Sequence, residues 1–493
     1  MIFLVFYVLW SSAAGAQTTE EILEELKELK EEVELRRAKF RHQVERQRAE
    51  LKRELQLLST ALSGEITETP DDETATMPAA ETMSREELEA ELRILREEIE
   101  QLKDQIARRD EGEASPAELP FKVKGQVRTR LEWNDNDFIS GDADQVHLLR
   151  TRIGISAQPH KHTGVFVQLQ DARQWGEESN TLADGSGDNI DFHQAYIKID
   201  QLFAQPLSVQ LGRQEMLYGG QRLIGAVGWH HIGRAFDAVQ ARYGTQSYVD
   251  LFNAKLAEKG KRDRNFYGIY AHIAANGYAW EPYVLFEHDK NGGTDDLKRA
   301  TLGLHAKGLF KGATGHGFGF EFESAYQTGS LASQDVAAFL GSGLLTYASP
   351  HWREHKLTLG LDYLSGDDDA TDGDYKVFDT LFATNHKFYG YMDFFLNIPV
   401  HTGQGGLLDI ALKGEMNAAP NTKLALHMHH FALAEGGEKA LGQEVDAVLT
   451  HSYNKAYRMQ WGGSFFLPGA AMETMKGGDE PAFKTYLQTL ANF

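Results

Sequence analysis

The chain of 493 residues has no cysteine. That absence removes disulfides, zinc–thiolate centres and thiol nucleophiles together, and it suits an envelope protein that avoids oxidation chemistry. Beyond residue 16, no run approaches the roughly 18–20 apolar residues that a spanning helix needs. The strings G-x-S-x-G, P-loop and HExxH are missing too, so common hydrolase, nucleotide and zinc-protease chemistries find no foothold. Positive charge is scarce: 50 Lys and Arg stand against 72 Asp and Glu, a formal net charge of −22. That sign argues against a nucleic-acid partner. What remains is a soluble protein, or a membrane protein that crosses with alternating strands, whose signal per segment is weak.

Residues 1–16 favour export. Ile2 to Trp10 is an apolar stretch and Ala14-Gly15-Ala16 supplies a small-x-small cleavage pattern before Gln17, although no Lys or Arg precedes it. The acidity is unevenly divided. Residues 17–119 hold 16 Lys and Arg against 29 Asp and Glu, which leaves −9 for residues 120–493 and room for a locally positive pore.

Residues 20–62 read as a long helix with a heptad seam and one stutter, and residues 84–109 as a second helix. In the latter, Leu88, Leu92, Leu95, Ile99, Leu102 and Ile106 keep 4-3 spacing behind a Ser84-x-x-Glu87 capping box. Residues 17–110 thus form a coiled-coil arm on the periplasmic side. It serves as a self-associating element, a hairpin, a solvated spacer or a bridge to a periplasmic partner. Residues 111–120 are a linker.

From Phe121 the period becomes two. Val123, Val127 and Leu131 alternate with Lys124, Arg128 and Arg130; Leu149, Thr151 and Ile153 alternate with Arg150 and Arg152; Val239 and Ala241 alternate with Gln240 and Arg242. A polar face dominated by Arg, Lys and Gln over successive strands is expected of a wet lumen. Short connections (158–163, 200–206) alternate with long polar ones (134–146, 175–189, 289–298, 366–375). At roughly 20 residues per strand and connection, residues 121–493 make an all-β transmembrane barrel of about 18 antiparallel strands, with 16 as the alternative. Trp133, Tyr196, Tyr243, Tyr283, Tyr363 and Trp461 near strand ends suit interfacial girdles. The location expected is the outer membrane of a Gram-negative cell, with outer-membrane lipid, lipopolysaccharide and the barrel-assembly machinery as partners.

Residues 207–243, LSVQLGRQEMLYGGQRLIGAVGWHHIGRAFDAVQARY, are two such strands joined by a Gly-rich segment that carries arginines. This block, together with FDTLFATNHKFYGYMD (378–393) and HQAYIKID (193–200), resembles the alginate-export family of outer-membrane barrels. The resemblance implies an 18-stranded monomeric channel that passes an anionic saccharide such as alginate through an arginine-lined constriction. It places Arg213, Arg222 and Arg234 there, while parity turns Lys124, Arg128, Arg130, Arg150, Arg152 and Arg242 to the lumen. Arginine forks bind carboxylates and stack on sugar rings. The alternative is that these arginines pair with Glu215, Asp237 and other acids to brace the wall. Gly220 stands where the family has an acid, and Ala383 where it has proline.

Other chemistry is faint. GDDDATDGDYKVFD has calcium-loop composition around Asp368 and Asp372, but Ala370 breaks the ligand series and Asp379 replaces the final Glu. Divalent ions held loosely by outer loops are the most it implies; no cofactor is expected. His427 and His429 share a strand face and His230 and His231 are adjacent, so a metal site is conceivable, but wall or girdle positions are the simpler reading. A passive channel, not an enzyme, is the function expected. A general or small-anion porin, or a barrel that anchors the coiled coil, are the alternatives.

Overall fold

The computed structural model describes residues 121–139, 143–177, 190–259, 262–290, 296–312, 315–351, 353–369 and 371–493. The expected signal peptide, coiled-coil arm and linker lie outside them.

Period-two alternation becomes a wall. The strands are β1 (Lys122–Asp135), β2 (Asp144–His160), β3 (Thr163–Gln174), β4 (Ile190–Ile199), β5 (Leu207–Gln214) and β6 (Phe236–Gly244). There follow β7 (Tyr248–Lys259), β8 (Arg262–Ala275), β9 (Tyr278–Lys290), β10 (Leu297–Lys311), β11 (Gly317–Leu331) and β12 (Gln334–Ala348). The remainder are β13 (Lys356–Leu364), the two-residue β14 (Asp374–Tyr375), β15 (Leu407–Ala419), β16 (Thr422–Ala432), β17 (Ala440–Ser452), β18 (Tyr457–Pro468) and β19 (Ala482–Asn492). β14 only leans on β12, in parallel, so β13 pairs directly with β15. β1 pairs with both β2 and β19, which closes an antiparallel barrel of 18 strands and leaves no edge to desolvate.

The two faces differ in chemistry. Leu211, Leu251, Ile269, Val284, Leu345, Leu361, Met428 and Trp461 stay more than two-fifths exposed on the outside. In water so large an apolar surface would aggregate; against lipid it is the stable arrangement. Inward positions such as Arg128, Arg150, Asp250, Glu281, His305, Glu323, Asp362 and Glu444 are buried.

Two connections do not stay outside. Residues 215–235 after β5 and 365–406 after β13 fold into the lumen and pack on a cluster that includes Tyr218, Ile224, Phe252, Phe266, Tyr270, Tyr283 and Phe378. The lumen is therefore not uniformly wet. Tyr283 belongs to this cluster, with its hydroxyl donating to Glu323 Oε1 at 2.9 Å, rather than to a girdle. The polar 366–375 run is only the opening of a connection that continues to residue 406. Turns at the opposite end are short, as at 161–162, 276–277 and 420–421. By that asymmetry the short-turn end is periplasmic and the inward loops enter from outside.

Candidate functional site: two loops zippered across the lumen

The inward loops hold each other by their backbones. Gly225 N donates to Phe382 O (2.9 Å), Phe382 N to Leu223 O (2.8 Å), and Thr384 N to Gln221 O (2.9 Å), with a parallel bridge at Ile224 and Phe382. Ala383 N donates to Thr380 O at 3.1 Å, a bond that proline at this position could not make. Lys387 Nζ reaches Gly220 O (2.9 Å), and Trp229 Nε1 reaches Asp393 Oδ2 (3.2 Å). Trp229 stacks on His386 with centroids 4.4 Å apart and planes at 2°. His386 in turn stacks on Tyr391, and Tyr486 meets Trp229 edge-on. The two loop-bearing sequence blocks that carry the family resemblance, 207–243 and 378–393, are thus joined to each other inside the barrel.

A model of the Alginate export family matches residues 120–437, which contain both blocks. The chain belongs to the alginate export family. Among solved structures it is similar to OccAB4 of Acinetobacter baumannii, at 11% identity over 77% of this chain and 100% of that one, with a TM-score of 0.54. OccK8 (OprE) of Pseudomonas aeruginosa gives 12%, 76%, 98% and 0.53 on the same measures. OccK2 (OpdF) of Pseudomonas aeruginosa in complex with glucuronate gives 9%, 76%, 98% and 0.51. At such identities the likeness is one of fold. Curated proteins yield no match. Family and fold are those of an outer-membrane channel, not of an enzyme.

The arginines of this family member separate into two groups by partner. The first is neutralised by carboxylates. Arg222, wholly buried, pairs with Asp362 of β13, donates to the Tyr389 hydroxyl (3.4 Å) and lies over the Phe388 ring at 3.9 Å. Arg130 pairs with Glu132 and lies 3.8 Å from the Trp229 ring centre. Arg152 donates to Gln170 (2.7 Å) and meets Glu215 at 3.4 Å, and His193 Nε2 lies 2.8 Å from the same carboxylate. Arg242 is bidentate on Asp250 at 2.7 Å and rests over Tyr248, close to the short-turn end.

The second group has only neutral partners. Arg128 donates to four successive carbonyls, those of Gly228 (2.9 Å), Trp229 (3.3 Å), His230 (3.1 Å) and His231 (3.4 Å). Arg150 donates to the carbonyls of His230 (3.2 Å) and His231 (3.3 Å) and to Gln126 Oε1 (2.9 Å). Arg234 donates to Ala383 O (3.1 Å) and Gly225 O (3.4 Å), joining the two loops. None of the three forms an ion pair among the described residues. Burial lowers Arg234 to about 10, which leaves it charged at neutral pH. On the β1–β2 side, Arg128 and Arg150 therefore present guanidiniums whose direct partners are neutral oxygens. Inward carboxylates gather on strands across the barrel, at Glu281, Glu287, Glu323, Asp362 and Asp409, with the half-buried Glu321 against His305.

Arg213 and Asp237 lie elsewhere than expected. Arg213 has the outward parity of Leu211, and it pairs with Asp237 at 3.2 Å on the outer face, where the side chains are 38% and 61% exposed. Alternation along β5 decides this: Gln214, not Arg213, points inward. Lys124 keeps lumen parity near the short-turn end and is exposed. Asp368 and Asp372 are engaged by Lys376 Nζ at 3.6 and 2.6 Å.

Several site residues gave no sequence signal beyond parity. Asp362 alternates inward in LGLDYL, yet nothing local links it to Arg222, 140 positions away. Gly220 is explained the same way. A side chain there would fall 2.4 Å from Glu321 Oε1, so the wall already fills the place of the family's acid. Asp393 is the anchor between loop and wall: it binds His386 (2.5 Å), Trp229 and Lys484 of β19 (2.8 Å). Its burial favours the neutral acid, but His386 and Lys484 outweigh that and hold the carboxyl well below its ordinary range.

Proposed function

We propose that this outer-membrane channel passes an anionic saccharide of the polyuronate class, with the zippered loops as its constriction and the arginine cluster as its attractive wall. The observation that carries this reading is the trio Arg128, Arg150 and Arg234, whose guanidiniums are bound by neutral oxygens alone. An anion near such a charge does not have to displace a carboxylate. At about 5 Å and an effective dielectric near 20 the attraction is roughly 3 kcal/mol, enough to concentrate cargo and weak enough to release it. The aromatic run Tyr486, Trp229, His386 and Tyr391 adds flat surfaces suited to sugar rings. The family's export role and the glucuronate held by OccK2 point to the same class of cargo.

Planar-bilayer recording tests this reading. Oligouronate added to one side should block the current in discrete events, and a neutral oligosaccharide of equal length should not. Conductance indifferent to oligouronate would leave a small-anion porin and sink the saccharide assignment. The coiled-coil arm, if it bridges to a periplasmic partner, should be dispensable for this conductance; removing residues 20–110 examines that separately.

A further inference from the structure

His427 and His429 of β16 and Asp446 of β17 turn their side chains to the lumen side of the wall, and all three are buried. One ligand atom from each lies within 4.8 Å of the other two. Strand geometry explains the gathering. Residues 427 and 429 share a face by period two, and Asp446 is the register partner of His427. Four polar atoms here lack any hydrogen-bond partner: His427 Nδ1, His429 Nε2 and both carboxylate oxygens of Asp446. Buried polar atoms without partners are costly, and so many in one place need a cause.

We propose that this cluster is a binding site for a divalent transition-metal ion of the zinc type. Two imidazole nitrogens and a carboxylate oxygen are a donor set that suits zinc and its neighbours rather than calcium or magnesium. His429 is already oriented for the task. Its Nδ1 faces the Asp409 carboxylate of β15 at 3.0 and 3.1 Å, which leaves Nε2 bare toward the cluster, as metal-bound histidines are commonly arranged. Charge agrees. The carboxylates of Asp409, Glu444 and Asp446 are buried together, while Lys413, the nearby cation, is drawn off to Phe388 O at 3.2 Å. A bound dication offsets that deficit. Glu444, the register partner of His429, is buried beside this set with Oε2 unpartnered.

The site also touches the constriction. Glu444 Oε1 accepts the backbone N–H groups of Tyr391 (2.5 Å) and Met392 (2.8 Å), and the Tyr391 ring packs against His427 with centroids 5.3 Å apart. A metal at this point fixes the second loop to β16 and β17.

The test uses the full chain, refolded in detergent and stripped with chelator, then titrated calorimetrically with Zn2+ alone. One equivalent should bind. The His427→Ala/His429→Ala double variant should lose that binding, and Asp409→Asn, which removes no ligand, should weaken it 10- to 100-fold. Heat-modifiable mobility on gels verifies that each barrel is folded. Should the double variant not fold, Co2+ bound to the unaltered protein decides: intense visible bands of a tetrahedral N/O site are expected. Zinc uptake that is absent, or equal in the double variant, overturns the proposal and leaves Glu444 and Asp446 as a pair that holds protons instead. A Co2+ spectrum no different from the aqua ion overturns it equally.

Discussion

The guanidinium of Arg222 closes on the carboxylate of Asp362, 140 positions further along the chain, inside a pocket that admits almost no solvent. One partner is on a folded-in loop and the other on the barrel wall, so the pair is a latch. Asp362 also accepts from Ser342 Oγ at 2.7 Å, which fixes the orientation of its carboxylate.

Breaking the latch from one side should be severe. Asp362→Ala strands a buried charge, a change that typically costs about 3–5 kcal/mol, whereas replacing both partners by apolar residues of similar volume is often near neutral. Thermal unfolding in detergent should show a large drop for Asp362→Ala and substantial recovery for Arg222→Met/Asp362→Leu. Equal stability of Asp362→Ala and the parent would remove the latch from the account.

Anion preference should follow partner chemistry rather than mere arginine count. Arg128→Gln/Arg150→Gln removes two uncompensated charges, so the anion-to-cation permeability ratio, read from reversal potentials in a salt gradient, should fall several-fold. Arg213→Gln, on the outer face, should leave it unchanged. A comparable fall in both variants would mean that the trio is not the source of selectivity.

Gly390 has a left-handed backbone, φ +79°, and a Cβ there would lie 2.4 Å from both carboxylate oxygens of Glu444. Gly390→Ala should therefore loosen the second loop by about 1–3 kcal/mol. Current fluctuations should grow while barrel stability changes little. A quiet channel in this variant would argue that the loop does not gate the current.

Acid should loosen the first loop. Burial, together with Arg128, Arg130 and Arg150, lowers His231 from its ordinary value to about 4. A base whose pKa is depressed in the docked state binds protons more readily when undocked. The contribution to docking is thus complete above pH 6.5, declines as pH falls towards 4, and then levels off. Open-channel noise should rise across that window, and His231→Asn should flatten the response. An unaltered pH profile in the variant would assign the effect to another group.

The wall is legible because period-two alternation needs only neighbours and sets the lumen parity of Arg128, Arg130, Arg150 and Arg152; the expectation of about 18 strands, with 16 as the alternative, comes from chain length, and closure is seen only in the β1–β19 pairing. The composition of the two motif blocks marked them as ordered, yet nothing in either revealed that Leu223 and Phe382 exchange backbone bonds. Such pairing is a long-range consequence of where β5 and β13 stand in the barrel. Motif position and strand parity disagree for Arg213, and parity decides: it faces outward with Leu211. The partners of Arg222, and the acid that stands in for the one missing at Gly220, come from β13 and β11, and no local pattern carries that information. The aromatic cluster behind the loops is hidden for a related reason: Tyr283 looks like a girdle residue until the loops supply a dry surface inside.

The carbonyl cradle around Arg128 has a consequence for the conditions under which the channel works. A peptide oxygen takes up no proton at any physiological acidity and cannot swing away to a competing cation, unlike the carboxylates opposite. The pull on a passing anion at this point is therefore fixed by the backbone for as long as the first loop stays docked. Above the window in which His231 takes up protons, changes in the medium outside the cell leave that cradle in place.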